Sequence, residues 1–126
     1  MSFSDLKGAS TVRTSKEAFS PLEERINREF EDDEYELEKS RIADIALAVG
    51  LVEEELKEVS GPVFTMNFGS IDKHDVMKAI IEERHPDKNG EELRAVFQRY
   101  LEGGAQLIAQ EMDGSGVFKY HRYLSD

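Results

Sequence analysis

Residues Lys78 to Phe97 read KAIIEERHPDKNGEELRAVF, and the fold turns on how the middle of that stretch is taken. Ahead of the break, Val76, Met77, Ile80 and Ile81 recur at the three-and-four spacing of a helix that buries one face. Behind it, Leu93, Val96, Phe97, Tyr100 and Leu101 do the same. Between them Pro86 cannot continue a helix, and it pushes His85 out of helical geometry. Asn89-Gly90 tolerates positive φ and is expected to close the turn. The stretch predicts a tight antiparallel helical hairpin that holds His85, Pro86 and Asp87 outward in water. A stiff, solvent-facing trio of this kind is a contact point for another protein, with Lys88, Lys78 and Arg84 as neighbouring cations.

Upstream, SPLEERINREF looks like a helix start, with Ser20 as N-cap, Pro21 at the first helical position and Glu23 and Glu24 in the first turn. Leu22, Ile26 and Phe30 form its apolar stripe. A second helical run carries Tyr35, Leu37, Ile42, Ile45, Ala46 and Val49, and Gly50 is expected to stop it. A short helix, LVEEELKEV, comes next. Residues 42–59 thus resemble a helix-turn-helix unit, in which Gly50 makes the turn and Ala46 allows close approach. Reading DNA through it is disfavoured. The outward residues of the second helix would be Glu53, Glu54, Glu55, Lys57 and Glu58, which phosphates repel. Beyond it, residues 63–68 (VFTMNF) read as a short strand or an extended linker. After the hairpin come the glycine pair Gly103-Gly104, the run AQLIAQEM and a DGSG turn.

The whole chain has 126 residues, one domain's worth. Its 27 acidic residues outnumber 16 basic ones, for a net charge of −11, which opposes general nucleic-acid binding and favours basic protein surfaces as partners. Cysteine is absent, so no disulfide or thiolate metal site forms. No apolar run approaches the roughly 18 residues of a membrane span, and the N-terminus has no secretory pattern, so the cytoplasm, or a particle assembled inside a cell, is the expected location. The organisation that results is mainly α. Residues 1–19 are a flexible N-terminal arm, and residues 20–126 form one small helical domain with at most a short strand pair. That domain comprises the helix-turn-helix-like part (20–59), the helical hairpin (72–112) and an aromatic, basic tail (113–126).

Helix, HPDK, then helix with Leu93, Val96 and Tyr100 in phase resembles helices II and III of the J-domain co-chaperones. The resemblance covers residues 72–102. It implies that His85, Pro86 and Asp87, with Lys88 beside them, stimulate ATP hydrolysis by a heat-shock ATPase chaperone. The family's helix II offers a basic face. Here Lys73, Lys78 and Arg84 are opposed by Glu82 and Glu83.

Signs of an enzyme are few. His74, His85 and His121 have no metal-ligand spacing, no Gly-rich loop follows a strand, and no serine sits in a nucleophile elbow. No cofactor is expected. In the tail, Phe118, Tyr120, Arg122 and Tyr123 interleave cations with rings, a pattern for docking on an acidic protein surface. The reading that results is a non-enzymatic protein–protein interaction module. The alternatives are a structural component of a nucleoprotein or virus-type assembly, and a helix-turn-helix DNA-binding regulator.

Overall fold

The computed structural model describes residues 11–28, 39–72 and 75–115. In chain order they form β1 (Thr11–Ser15), α1 (Lys16–Arg28), α2 (Lys39–Glu53), β2 (Val63–Asn67), a 3-10 turn (Phe68–Ser70), α3 (Val76–Arg84) and α4 (Gly90–Ser115). The class is mainly α, with one two-stranded antiparallel sheet. α4 is the hub, since α1, α2, α3 and β1 all pack against it.

The flexible arm expected over residues 1–19 does not include residues 11–19. Thr11 to Phe19 belong to the fold, with Val12 and Phe19 fully buried, while residues 1–10 lie outside the described region. Ser15 rather than Ser20 caps α1: its hydroxyl accepts from the Ala18 N–H at 3.3 Å, and Pro21 lies inside the helix. The reason β1 escapes a sequence reading is that its partner groups come from far away. In the sheet, Thr11 pairs with Asn67, Arg13 with Thr65 and Ser15 with Val63. The Lys16 N–H bonds to the Pro62 carbonyl, so the even-numbered residues of β1 face β2 and the odd-numbered ones face away. On that outer side stands α4. Arg94 Nη1 donates to the Thr11 carbonyl at 2.8 Å, the Arg13 N–H donates to Gln98 Oε1 at 2.8 Å, and the Ser15 N–H donates to Glu102 Oε1 at 2.8 Å. Residues four apart on a helix advance about 6.0 Å, and residues two apart on a strand about 6.7 Å. One face of α4 thus stands in for a third strand.

Glu102 closes this arrangement in the dry interior. It is fully buried, and besides the Ser15 N–H it accepts from the Thr14 hydroxyl (2.7 Å), the Ser15 hydroxyl (2.7 Å) and Gln106 Nε2 (2.8 Å). Burial alone would push its carboxyl up. The hydrogen bonds from Gln106, Ser15 and Thr14 together outweigh that and hold it below the ordinary glutamate value.

α2 and α4 meet backbone to backbone. A methyl group on Gly104 would overlap the Ala46 carbonyl oxygen and come within 2.8 Å of the Gly50 nitrogen, and one on Gly50 would overlap the Tyr100 carbonyl oxygen. Gly103 lies equally close to the Glu55 carbonyl. These glycines are contact points inside continuous helices. α2 runs through Gly50 to Glu53, and α4 runs through the pair to Ser115, into the stretch expected to form the DGSG turn. No second helix follows α2. Glu54 turns at φ 52, and the chain from Glu55 to Ser60 is irregular, with the Lys57 N–H bonded to the Arg99 carbonyl. The helix-turn-helix reading is therefore overturned. The carboxylates of Glu53, Glu54, Glu55 and Glu58 gain nothing from a helix here, because α4 offers the Arg99 carbonyl to the chain instead.

The apolar spacings fare better. Leu22, Ile42, Ala46, Val49, Leu93, Val96, Phe97, Tyr100 and Leu101 are all buried, and Phe97 meets Phe68 edge-on at 4.7 Å between centroids. Tyr35 and Leu37 lie outside the described residues, as do the side chains of Ile26 and Phe30.

Two substitutions test these packing arguments. Gly104→Ala gains about 1 kcal/mol of helix propensity but forces α2 away from α4, so a net loss of about 2 kcal/mol is expected by chemical denaturation. Glu102→Gln keeps the shape and removes the charge, and a loss of about 2 kcal/mol is expected at pH 7. Because the folded-state value of Glu102 is lowered, its contribution is complete above the ordinary carboxylate range and disappears as pH falls through that lowered value. The gap between wild type and variant, followed by thermal melts from pH 7 downward, should therefore narrow.

Candidate protein-docking surface

α3 is built from an acidic entry. Asp72 is buried, at φ 57, and its carboxylate accepts from the Met77 N–H (3.1 Å) and the Lys78 N–H (2.7 Å), two of the unpaired donors of the first turn. Its own N–H is held by Asp44 Oδ1 at 2.7 Å, and Asp75, at φ 59, precedes the helix. Asp tolerates this left-handed backbone better than most residues.

The nine residues of α3 carry four large apolar side chains, more than one buried stripe can take. Met77 and Ile81 turn inward, whereas Val76 (61 % exposed) and Ile80 (38 %) face water. The inward position between them goes to Lys78, which is only 8 % exposed. Its ammonium sits 3.1 Å from Asp75 Oδ1 and 4.6 Å from the centre of the Phe68 ring. Lys78, expected among the partner-facing cations, is thus committed to the fold.

At the end of α3 the backbone is pinned twice. The His85 N–H bonds to the Ile81 carbonyl (3.0 Å), and the Lys88 N–H to the His85 carbonyl (3.3 Å), a turn with Pro86 at its second position. His85 does not point into water. It is half-buried, and its Nε2 lies 3.1 Å from the Tyr100 hydroxyl. Tyr100 is ten residues into α4, so the loop lies along that helix instead of standing off its end. Pro86 and Asp87 are exposed and Lys88 is half-buried. Asn89, and not a left-handed Asn-Gly turn, starts α4: Asn89 Oδ1 accepts from the Glu92 N–H (2.9 Å) while Glu92 Oε1 accepts from the Asn89 N–H (3.0 Å). Neither Asn89 nor Gly90 has positive φ. The capping pair N-x-x-E is legible in the sequence, and it outcompetes the turn.

Arg84 draws the region together. Its guanidinium donates to the Leu51 carbonyl (3.0 Å) and lies 5.9 Å from the Tyr100 ring centre. Val76, Ile80 and Arg84 are four apart on one side of α3, and Arg84 delivers that line to the end of α2, where Val52 is 63 % exposed. Among the described residues, Val52, Val76 and Ile80 are the exposed large apolar side chains, two of them on this line of α3 and the third next in the chain to the Leu51 carbonyl that Arg84 binds. Exposed carboxylates surround them at Glu53, Glu54, Asp75, Glu83 and Asp87. Among the described residues of 75–88, the cations are turned inward (Lys78), bound to a carbonyl (Arg84) or half-buried (Lys88).

Of the residues singled out in the sequence, Arg84, His85, Pro86, Asp87 and Lys88 come together here. The tail residues Phe118, Tyr120, Arg122 and Tyr123 lie outside the described region. Among the described residues no group of His, Asp and Glu is arranged to hold a metal ion, and no helix is long and apolar enough to cross a membrane. No family model, curated protein or solved structure matches the chain.

Asn89→Ala removes one arm of the capping pair. A loss of about 1 kcal/mol is expected in denaturant melts, together with faster amide exchange at Glu92.

Proposed function

We propose that this chain is a non-enzymatic protein-interaction module, and that its contact surface runs from Val76 and Ile80 past Arg84 to the loop at 85–88. The observation that carries this reading is the exposure of Val76 and Ile80 on the line of α3 that Arg84 ends, next in the chain to an exposed Pro86 and Asp87, with Val52 exposed beside the Leu51 carbonyl that Arg84 binds. Isolated exposed apolar residues need no explanation, but a cluster ringed by charge is the usual anatomy of a docking patch. The partner that fits has an apolar centre and a basic rim. In a test by affinity capture and calorimetry with the captured partner, Val76→Ser together with Ile80→Ser should weaken binding by about tenfold or more, from the lost apolar burial alone. Raising salt should weaken it further. Binding unchanged by the double substitution would reject the surface.

The His-Pro-Asp sequence at a helix–helix loop supports a second reading, contact with a heat-shock ATPase chaperone in the manner of the J-domain co-chaperones. Its test is direct. The chain should raise the chaperone's ATPase rate, and His85→Gln should remove the effect without changing helicity. The inward turn of Lys78 takes a cation from the face such a contact would use, so the first reading is preferred.

A further inference from the structure

The sheet has two edges, and among the described residues only one is covered by another element. On β1 one outward group of each odd residue, the Thr11 carbonyl and the Arg13 and Ser15 N–H groups, is taken by Arg94, Gln98 and Glu102 respectively. On β2 the outward residues are Val63, Thr65 and Asn67, because the register assigns Pro62, Phe64 and Met66 to β1. Among the described residues, no strand or helix backbone pairs with this edge, and Thr65 and Asn67 are exposed. Protective devices are missing as well. β2 reads VFTMN, with no lysine, no proline and no charged residue.

We propose that the β2 edge is a self-association surface, pairing antiparallel with β2 of a second copy about a two-fold axis through Thr65. The register chooses the occupant. With Thr65 opposite Thr65 of the second copy, Val63 falls opposite its Asn67, and every outward N–H and C=O of both strands meets a counterpart in three hydrogen-bonded pairs. A threonine opposite a threonine is a favourable cross-strand pair, and no like charges meet within the strand. The product is a four-stranded sheet flanked at both outer ends by α4. Two five-residue strands bury much less than the roughly 800 Å² per partner of a standard interface, so the dimer is weak and concentration-dependent. The net charge of −11 on each chain opposes it, so salt strengthens it, which is the reverse of the salt effect expected at the acidic docking surface. The two surfaces lie on different elements, and failure of one leaves the other standing.

Sedimentation equilibrium of the full chain from about 10 μM to 1 mM, at about 50 and 500 mM salt, reads this out over the range where a weak dimer populates. The average mass should climb from 14.3 kDa toward twice that value, and climb further at the higher salt. Amide exchange at Val63, Thr65 and Asn67 should slow with concentration. Thr65→Pro removes an outward donor and spares the ladder to β1, and should weaken the dimer about tenfold or more, judged from the hydrogen bonds lost. Thr65→Lys places two ammonium groups face to face and should do the same, with partial recovery in salt, while leaving far-UV circular dichroism unchanged. If the proline variant fails to fold, the lysine variant decides. A monomer at 1 mM and high salt overturns the proposal, and so does a dimer indifferent to Thr65→Lys.

Discussion

The approach of α2 to α4 at backbone distance is the constraint on which the rest of the structure depends. Helices usually hold each other apart by their side chains, at 8–10 Å between axes. Where Gly50 meets Tyr100 and Gly104 meets Ala46, no side chain intervenes, and carbonyl oxygens face Cα hydrogens directly. Two mid-helix glycines in α4 sacrifice about 2 kcal/mol of helix propensity relative to alanine, and that sacrifice is sensible only because the contact forbids a β-carbon. With α2 seated so deeply, the chain leaving Glu53 has to run across α4. Gly103 makes room for the Glu55 carbonyl there, and the Lys57 N–H finds the Arg99 carbonyl.

The same glycines explain why part of the fold is legible in the sequence and part is not. Apolar spacing is a property of one helix, so Ile42, Ala46 and Val49, or Leu93, Phe97 and Leu101, declare their buried face without help. A glycine inside a helical pattern is ambiguous: as a stop it needs only its own backbone freedom, as a contact it needs a partner helix that the sequence does not place. Gly50 and Gly103-Gly104 favour the first interpretation on local grounds and obey the second. β1 is harder still. TVRTS has one apolar residue and no period, and it becomes a strand because Arg94, Gln98 and Glu102, over eighty residues away, present the right groups at the right intervals.

At the proposed docking surface, the residues at the loop are legible and their orientations are not. Pro86 marks the break and Asp87 remains in water. His85, however, is drawn to a tyrosine hydroxyl, and Lys78 is drawn inward by Asp75 and the Phe68 ring. Sequence charge counts treat every lysine as a surface lysine. Here Lys78 and Arg84 are used internally, so the described surface beside the loop is more acidic than the residue composition implies. Val76 and Ile80 are the complement of that substitution, since the buried position a valine or isoleucine would ordinarily fill holds a lysine.

The use of a helix face as a surrogate strand carries its own limit. Each rung on α4 advances about 0.7 Å less than its counterpart on β1, and a four-residue step overshoots one full helical turn by about 40°. After three rungs the side chains have lagged by more than an ångström and swung well round the axis. A fourth donor or acceptor would miss its target, so a helix can finish the edge of a strand as long as Thr11–Ser15, and scarcely a longer one.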